Sequence, residues 1–392
     1  EPAMLEDMQT LLEQMERHGA VAAWVVDDTG IPKKGRHSVG VARQYCGALG
    51  KQDNCQVAVS VTLANEAVSV PAGYQLYLPE SWTDDRLRRR EAGIPQSIRF
   101  STKWEMALVQ IAALQDEGLS PAPVVADAGY GDITEFRVRL TARGIPYVVG
   151  VKAVTTVWRP GMQPLRPRPY RGYGGRPTRV RRTRRHRPVA LSALAQELPA
   201  SSWRTITWRQ GTRGAMRSRF ALLRVRPAHG ERKLHRPREI EWLLIEWPRE
   251  EPGPTKYWLS AMPADTPASQ LVRLAKIRWR IERDYEELKG EFGLDHFEGR
   301  GWRGFHHHGT LCIAAYAHLA AERARLSPPE PLSFLRPAAV PRGFKPRGSP
   351  GPTGAPRPGI HRNATTVEIT GSPATPALPL VRSSDPGRVE FL

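Results

Sequence analysis

Cysteine is scarce in this chain, which has three of them, Cys46, Cys55 and Cys312, among 392 residues. So few thiols exclude a disulfide-stapled scaffold and are typical of proteins that fold in a reducing compartment. Their spacing matches no zinc-binding pattern, so we interpret them as packed thiols. The run of histidines at 306–308 is also a poor metal site, because adjacent positions on a helix point in different directions.

Long apolar runs are absent as well. No apolar stretch reaches the roughly 18 residues that a transmembrane helix needs. The first residues also lack the basic start and the apolar segment of a cleavable signal peptide. The sequence therefore predicts no membrane partner and a cytoplasmic, nucleoid-associated location.

Acidic residues are few relative to basic ones. The chain has 58 Lys plus Arg against 39 Asp plus Glu, which gives a net charge of +19 and a pI near 10.4. Such an excess is the electrostatic footprint of a nucleic-acid-binding protein, although ribosomal and membrane-surface proteins share it. Charge alone thus favours a nucleic-acid partner without assigning one.

Part of this charge is concentrated in a segment without acids. Residues 159–187 contain 11 Arg and no Asp or Glu, and Pro, Gly, Tyr170 and Tyr173 interrupt them. This composition cannot bury a core and predicts a flexible basic arm that contacts DNA phosphates. The alternative is a solvated loop that only adds charge.

Two short apolar runs lead into carboxylates. The run at 21–26 predicts a buried strand that ends in Asp27-Asp28, and the run at 123–126 predicts a second strand that ends in Asp127. In α/β proteins, functional side chains collect at the carboxyl ends of strands. Adjacent strand residues point to opposite faces, so Asp27 and Asp28 are not expected to ligate the same metal. Each Asp taken alone also fits an ordinary turn or helix cap.

A third carboxylate lies between two cations in a predicted helix. Arg278 precedes Glu282 by four residues and Lys289 follows it by seven, so the three side chains emerge from nearly one face. An apolar stripe beside them is formed by Ile277, Ile281, Leu288 and Phe292. This pattern suits a site that binds metal ions and a phosphodiester, whereas ordinary i,i+4 ion pairs on a surface helix are the alternative.

Together these segments resemble the DDE transposases of bacterial insertion sequences, which share a ribonuclease H-like catalytic core. Asp27-x-Thr29, Asp127 in Ala-Asp-Ala-Gly-Tyr-Gly, and Glu282 in Arg-Trp-Arg-Ile-Glu look like the three acids of that family. The resemblance extends from about residue 20 to about residue 325. Further similar segments lie at 33–35, 38–45, 54–56 and 293–300.

The most similar subgroup carries the pattern Tyr-x2-Arg-x3-Glu-x6-Lys around its last acid. Arg278, Glu282 and Lys289 fit this spacing, and Ala275 stands at the Tyr position. The resemblance implies that Arg278 and Lys289 contact phosphates near the scissile bond. By the same resemblance we expect Lys33, Lys34 and Arg43 to bind DNA.

The resemblance also implies the chemistry. Asp27, selected over Asp28 by the spacing to Thr29, would join Asp127 and Glu282 as catalytic residues and metal ligands. Three such carboxylates hold two divalent cations about 3.5–4 Å apart and clamp the oxygens of an in-line displacement. Magnesium is the expected ion, and manganese would substitute for it. The implied partners are double-stranded DNA, at the element ends and the target, and a second copy of the chain on that DNA.

The expected fold is α/β, a ribonuclease H-like mixed sheet flanked by helices, with an inserted mainly β subdomain and a disordered C-terminal tail. The interval from Asp127 to Glu282 is too long for one crossover helix, which indicates the insertion. The tail contains 14 Pro and little apolar periodicity. The predicted segments are an N-terminal helix (1–20), the first part of the core (21–150), the β-rich insertion (151–268), the helical second part with Glu282 (269–326), and the tail (327–392).

Three functional hypotheses follow. The first is a transposase that cuts and joins DNA. The second is a catalytically impaired DNA-binding remnant, since family members carry a helical DNA-binding region before the first acid and only 26 residues precede Asp27 here. The third is another ribonuclease H-like DNA nuclease, such as a resolvase, which cuts without joining.

The basic arm generates a prediction about salt. Because an arm that neutralises several phosphates releases their counterions, DNA affinity should fall steeply and linearly on a log–log plot against salt. Fluorescence anisotropy of a labelled duplex over a range of NaCl concentrations measures this slope. An affinity that hardly changes with salt would contradict a phosphate-binding role for the arm.

Overall fold

A computed structural model describes residues 12–13, 15–211 and 214–326. Residues 12–13 and 15–17 are helical, as expected for this part of the predicted N-terminal helix. The rest of that prediction falls largely on residues 1–11, and the predicted disordered tail falls on residues 327–392. Both of these segments lie outside the described residues.

The strands form one mixed sheet. They are β1 (Ala23–Pro32), β2 (Ala42–Cys46), β3 (Lys51–Ala64), β4 (Ser69–Leu76), β5 (Val124–Ala126), β6 (Tyr147–Val151), β7 (Thr156–Trp158), β8 (Val189–Ala190), β9 (Arg204–Gly211), β10 (Gly214–Pro227), β11 (Glu241–Trp247) and β12 (Lys256–Ser260).

The helices cover this sheet. They are α1 (Glu80–Thr83), α2 (Arg86–Glu91), α3 (Lys103–Asp116), α4 (Ala128–Gly131), α5 (Thr134–Ala142), α6 (Leu191–Gln196), α7 (Ala268–Lys276), α8 (Trp279–Gly290) and α9 (Trp302–Leu326).

The centre of the sheet has the order β4-β3-β1-β5-β6. β1 is antiparallel to β3 and parallel to β5, and β5 is parallel to β6. α3 packs on β3, whereas α8 contacts β1 and β4. The sheet is therefore mixed and flanked by helices, which confirms the predicted α/β class and is consistent with a ribonuclease H-like core.

β3 shows why this sequence folds as a central strand. Its residues 55–64 are all buried and are rich in Val and Ala. A strand with both faces covered needs a continuous apolar run rather than alternation, and β-branched side chains fit that surface. Apolar runs at 55–62, 74–78 and 146–150 predict strands, and they overlap β3, β4 and β6. The helical spacing of apolar residues over 103–118 predicts a helix, which is α3.

β1 differs from its prediction. The sequence predicts a strand that ends before Asp27, but β1 continues to Pro32 because β3 pairs with it along its whole length. Only the parallel pairing with β5 stops at Val26. Asp27 and Asp28 are therefore inside a strand, at the point where its parallel neighbour ends.

The insertion extends the same sheet. β12 pairs antiparallel with β6, and β11 and β10 follow in order. Within this predicted β-rich insertion, the runs at 203–208, 220–225, 241–247 and 257–259 predict strands, and they lie on β9 to β12. Successive side chains on β11 and β12 point to opposite faces of the sheet and pack into two hydrophobic cores. Leu244 and Trp258 lie in the main core, whereas Leu243 and Leu259 lie in a second one. The division of the chain into domains stays a prediction.

α9 carries the histidine run on a helix that is half buried. His306 is partly buried beside the core, and its Nδ1–H donates to the carbonyl of Trp302 at 3.0 Å while its Nε2 accepts from the N–H of Leu76 at 3.4 Å. These two bonds fit a neutral ring, and burial lowers its pKa to about 4. In the described part of the chain, no helix has the length and apolar character that crossing a membrane requires.

His306 predicts a loss of stability in mild acid. Its pKa is lower in the folded protein than the ordinary value near 6.5, so the unfolded chain binds the proton more readily. The stability that the folded protein gains by keeping His306 neutral is fully present above about pH 6.5 and is lost as pH falls towards about 4. Acidification from about pH 7 to about pH 5 should therefore lower the free energy of unfolding by about 2 kcal/mol.

Urea unfolding of the protein and of His306→Gln at the two pH values measures this effect. The Gln variant should lose less stability on acidification, whereas His307→Gln, at an exposed position, should behave like the unmodified chain. Equal losses in all three proteins would rule out His306 as the cause.

Candidate active site

Asp27 and Asp127 are brought side by side by strand pairing. β1 and β5 are parallel and in register, with Trp24 opposite Val124 and Val26 opposite Ala126. The next residues along the two chains are Asp27 and Asp127. Since neighbouring strands lie about 4.8 Å apart, the two Asp backbones are neighbours. The charge of Asp127 contributes to raising the pKa of Asp27, which shows that the carboxylates interact.

Asp127 is held by the turn that follows β5. It is the N-cap of α4, and its Oδ1 accepts the N–H of Gly129 at 2.8 Å and of Tyr130 at 3.4 Å. Both bonds go to Oδ1, which leaves Oδ2 for a cation. The cap fixes the carboxylate because its oxygen replaces the missing acceptor of the first turn.

Gly131, the last residue of the Ala-Asp-Ala-Gly-Tyr-Gly segment, lies where the structure has no room for a side chain. A Cβ at this position would lie 1.9 Å from the carbonyl oxygen of Gly150 in β6. Real Cβ atoms do not approach so closely, so α4 can rest on β6 only if residue 131 has no side chain. The close contact keeps α4, and with it the Asp127 cap, against the sheet.

Asp28 points away from this pair. Its carboxylate forms an ion pair with Lys103, the first residue of α3. The carboxylate of Asp27 instead bonds with Arg278, next to α8. The opposite directions follow from the alternation of side chains along a strand. The structure thus places Asp27, and not Asp28, with the residues of α8.

Arg278 contacts one of the three predicted acids directly, Asp27. It stands between α7 and α8, where its Nη2 donates to Asp27 Oδ2 at 2.9 Å. Burial tends to lower the pKa of its guanidinium, but the charges of Asp27, Asp127 and Glu282 raise it above the usual value. Glu282 itself is exposed in the first turn of α8. The charges of all three predicted acids thus act on this guanidinium, but only Asp27 contacts it, and the convergence of the three acids stays a prediction.

The electrostatics at Asp27 are set mainly by burial. Removal from water raises the pKa of its carboxyl, and the neighbouring charges of Asp127 and Asp28 act in the same direction. Arg278 opposes this shift by its charge and its hydrogen bond. A carboxylate in this position gains from any cation that approaches it.

Two lysines that are predicted to bind DNA instead donate hydrogen bonds to backbone carbonyls in this structure. Lys289 Nζ donates to the carbonyl of Gly30 at 2.9 Å, which pins the last turn of α8 to β1. Lys33 Nζ donates to the carbonyls of Asp295 and Phe297. Burial lowers the pKa of both ammonium groups. Their contact with DNA stays a prediction.

Lys34 and Arg43, the other predicted DNA-binding residues, are exposed. Ala275, at the Tyr position of the subgroup pattern, is buried in α7. The apolar stripe beside the three charged residues is confirmed. Ile281 and Leu288 are buried, and Ile277 and Phe292 pack against the core.

Sequence reasoning missed two residues near the site. Lys103 shows only a helical pattern in the sequence, yet it forms an ion pair with Asp28. Tyr130 lies in the Asp127 segment, and its buried hydroxyl has no hydrogen-bond partner among the described residues. Burial raises its pKa, and the charges of Asp28, Asp27 and Asp127 add to this. The strand-to-helix turn after Asp127 was the available signal for Tyr130, whereas no local signal pointed to Lys103.

The donor chemistry of the site fits a magnesium ion. In the residues that the structure describes, no three His, Cys, Asp or Glu side chains form a ready metal site. Magnesium, however, is commonly held by one or two carboxylates together with substrate phosphates and water. Asp27 and Asp127 supply two neighbouring carboxylates, and DNA phosphates would supply the remaining oxygens.

The basic arm is tied at both ends to acids that lie outside it. Arg159 pairs with Glu197 at 2.7 Å, and Arg182 pairs with Glu231 at 2.5 Å. The sequence predicts a flexible arm because its composition cannot bury a core. Its ends are anchored instead, while most of the residues from 166 to 179 between them are exposed.

α7, which leads to Arg278, is fastened to the insertion by a buried ion pair. Lys276 Nζ lies 2.6 and 2.5 Å from the two carboxylate oxygens of Glu246 in β11. The Lys276 and Glu246 side chains are only 15% and 4% exposed. The rings of Trp208 and Trp258 flank the ammonium at 4.6 and 5.6 Å. These Trp residues therefore pack against the anchor of α7.

Comparison with known proteins adds a family match and one relative. A family model described as DDE superfamily endonuclease matches residues 7–215, which include Asp27 and Asp127 but not Glu282. The chain is 33% identical over 130 residues to a probable transposase for insertion sequence element IS701 from Microchaete diplosiphon. That alignment covers 33% of this chain and 31% of the relative, so the chain spans about a third of the relative's length.

The Lys276–Glu246 pair generates a stability prediction. Glu246→Gln leaves a buried ammonium without its counter-charge, and it should lower the free energy of unfolding by about 3 kcal/mol. Replacing both partners, in Glu246→Gln with Lys276→Met, should restore part of this loss because no unpaired charge remains. Chemical denaturation of the single and double variants measures the two changes.

A matched control is Glu322→Gln, which breaks the exposed pair with Arg325 and should have little effect. If the double variant were as unstable as Glu246→Gln or worse, the unpaired charge would not be the source of the loss.

Proposed function

Because the chain belongs to the DDE superfamily endonuclease family, we propose that it is a transposase that cleaves DNA and transfers strands at the ends of an insertion sequence. The observation that carries this proposal is the placement of Asp27 and Asp127 on adjacent parallel strands, with Arg278 bonded to Asp27. Two carboxylates and a guanidinium in one place suit a phosphodiester bound through divalent cations.

The proposed catalytic residues are Asp27, Asp127 and Glu282. Asp27 is fixed within β1, and Asp127 is fixed by the α4 cap. Glu282 would complete the set from the first turn of α8. Magnesium, with manganese as a substitute, supplies activation of the attacking hydroxyl and neutralisation of the leaving oxygen when it is bound. The protein's own contribution is to hold these oxygens in place before DNA arrives.

Cations around the carboxylates would orient the DNA backbone. Arg278 offers a planar fork that matches two phosphate oxygens, and Lys289 offers a point charge. Lys34 and Arg43 are exposed, which supports a role in contacting phosphates further from the scissile bond. Lys33 would join them if its ammonium exchanged the carbonyls of residues 295 and 297 for phosphate oxygens.

The proposed partner is double-stranded DNA, at the element ends and at the target. The net charge of +19 supports this, as does the run of exposed arginines in the arm. Because both ends of the element must be joined to one target, we propose that two copies of the chain act together on DNA. The proposed location is the cytoplasm, in association with the nucleoid.

Two alternatives give different products. A catalytically impaired remnant would bind DNA without magnesium-dependent nicking. Another ribonuclease H-like nuclease would nick DNA but leave no joined strands. An assay with a labelled element end and a target plasmid separates the three, because only a transposase yields a covalently joined product.

Activity of carboxylate variants tests the site. Asp27→Asn and Asp127→Asn should reduce magnesium-dependent nicking by more than the roughly 10–100-fold that outer-shell changes cause at metal sites. Asn keeps a side-chain oxygen, so the α4 cap should survive at position 127 and the loss should not reflect misfolding. Nicking of a supercoiled plasmid that carries the repeats flanking the gene measures the rate.

Asp28→Asn is the matched control, since it removes the adjacent carboxylate, which pairs with Lys103 on the other face. It should retain most of the nicking activity. An Asp28 variant as inactive as the Asp27 variant, or an active Asp127 variant, would contradict the proposed assignment.

A further inference from the structure

Arg278 holds the carboxylate oxygen that a cation would use. Its Nη2 is 2.9 Å from Asp27 Oδ2, and only 14% of the Asp27 side chain is exposed. The guanidinium also interacts with the charges of Asp127 and Glu282. A divalent cation and a guanidinium on the same oxygen would repel each other strongly in a partly buried site. One must leave before the other can bind.

The position of Arg278 in the chain favours such an exchange. It occupies the N-cap of α8, where the positive end of the helix dipole disfavours a cation. Asp27 is therefore what keeps the guanidinium there. Its Nε–H has no hydrogen-bond partner among the described residues, so this arginine is not locked by a second contact at that atom.

The exchange also leaves the guanidinium beside the proposed path of the DNA. When a cation binds Asp27, Arg278 loses its hydrogen-bond partner while it still stands at the start of α8. A phosphate oxygen of bound DNA is then the acceptor of suitable charge and geometry. The same side chain would thus serve the carboxylate before loading and the phosphate afterwards.

We propose that Arg278 is a positioning residue that couples metal loading to DNA binding. In the free protein its guanidinium pairs with the Asp27 carboxylate and thereby weakens metal binding there. It moves to a DNA phosphate when the cation takes its place. This rests on the proposed function of the site. By thermodynamic linkage, DNA that draws Arg278 away strengthens metal binding, and metal strengthens DNA binding to the same extent.

Metal binding in the absence of DNA tests this coupling. Manganese binding to the full chain is measured by electron paramagnetic resonance of the free ion, for the unmodified protein, Arg278→Gln and Arg278→Lys. Arg278→Gln should bind manganese about 10-fold more tightly, a factor within the roughly 5–150-fold range of typical couplings. Arg278→Lys keeps the charge and should change the affinity less than Arg278→Gln.

The matched control is Arg283→Gln, which removes one positive charge from an exposed position of the same helix. It should strengthen binding much less than Arg278→Gln. Circular dichroism and thermal unfolding establish that each variant is folded. Should Arg278→Gln not fold, Arg278→Lys decides the matter. It should still bind manganese more tightly than Arg283→Gln and the unmodified chain, because Lys cannot reproduce the guanidinium contact with Asp27, and an affinity no higher than that of Arg283→Gln would overturn the coupling.

Asp127→Asn separates failure of this inference from failure of the proposed function. If Asp127→Asn weakens manganese binding while neither Arg278 variant strengthens it beyond Arg283→Gln, the coupling is wrong and the metal site stands. If Asp127→Asn has no effect on manganese binding, the proposed metal site fails, and the role of Arg278 fails with it.

Discussion

The parallel, in-register pairing of β1 with β5 is the constraint on which the site depends. It ends at Val26 and Ala126, so the next residue on each strand is an aspartate. Because β1 continues against β3 while β5 turns into α4, the two carboxylates are held by different means. Asp27 is fixed by a strand and Asp127 by a helix cap. Neither depends on a mobile loop for its position.

Much of this arrangement was predictable because local sequence encodes it. The apolar runs before Asp27 and Asp127 predict strands, and an Asp in this position also fits the cap of a following helix, which Asp127 is. The stripe of Ile281 and Leu288 predicts which face of α8 is buried. These signals come from neighbouring residues, and the structure bears them out.

The missed features depend on contacts between distant parts of the chain. The length of β1 is set by its pairing with β3, which the run at 21–26 does not reveal. Arg278 meets Asp27 across 251 positions, and Lys103 meets Asp28 across 75. The acids that anchor the arm, Glu197 and Glu231, lie outside it and cannot be seen in its composition. Side-chain pairing at such separations follows from the fold and not from spacing.

The contact between Gly131 and the carbonyl of Gly150 makes the backbone itself a determinant of where the Asp127 carboxylate lies. A single added methyl group at position 131 would wedge the short helix off its neighbouring strand and tilt the carboxylate that caps it. Such a change touches neither nucleic acid nor ion and alters no charge. Loss of activity in naturally diverged copies can therefore originate in a residue with no side chain, while every acidic group is still present.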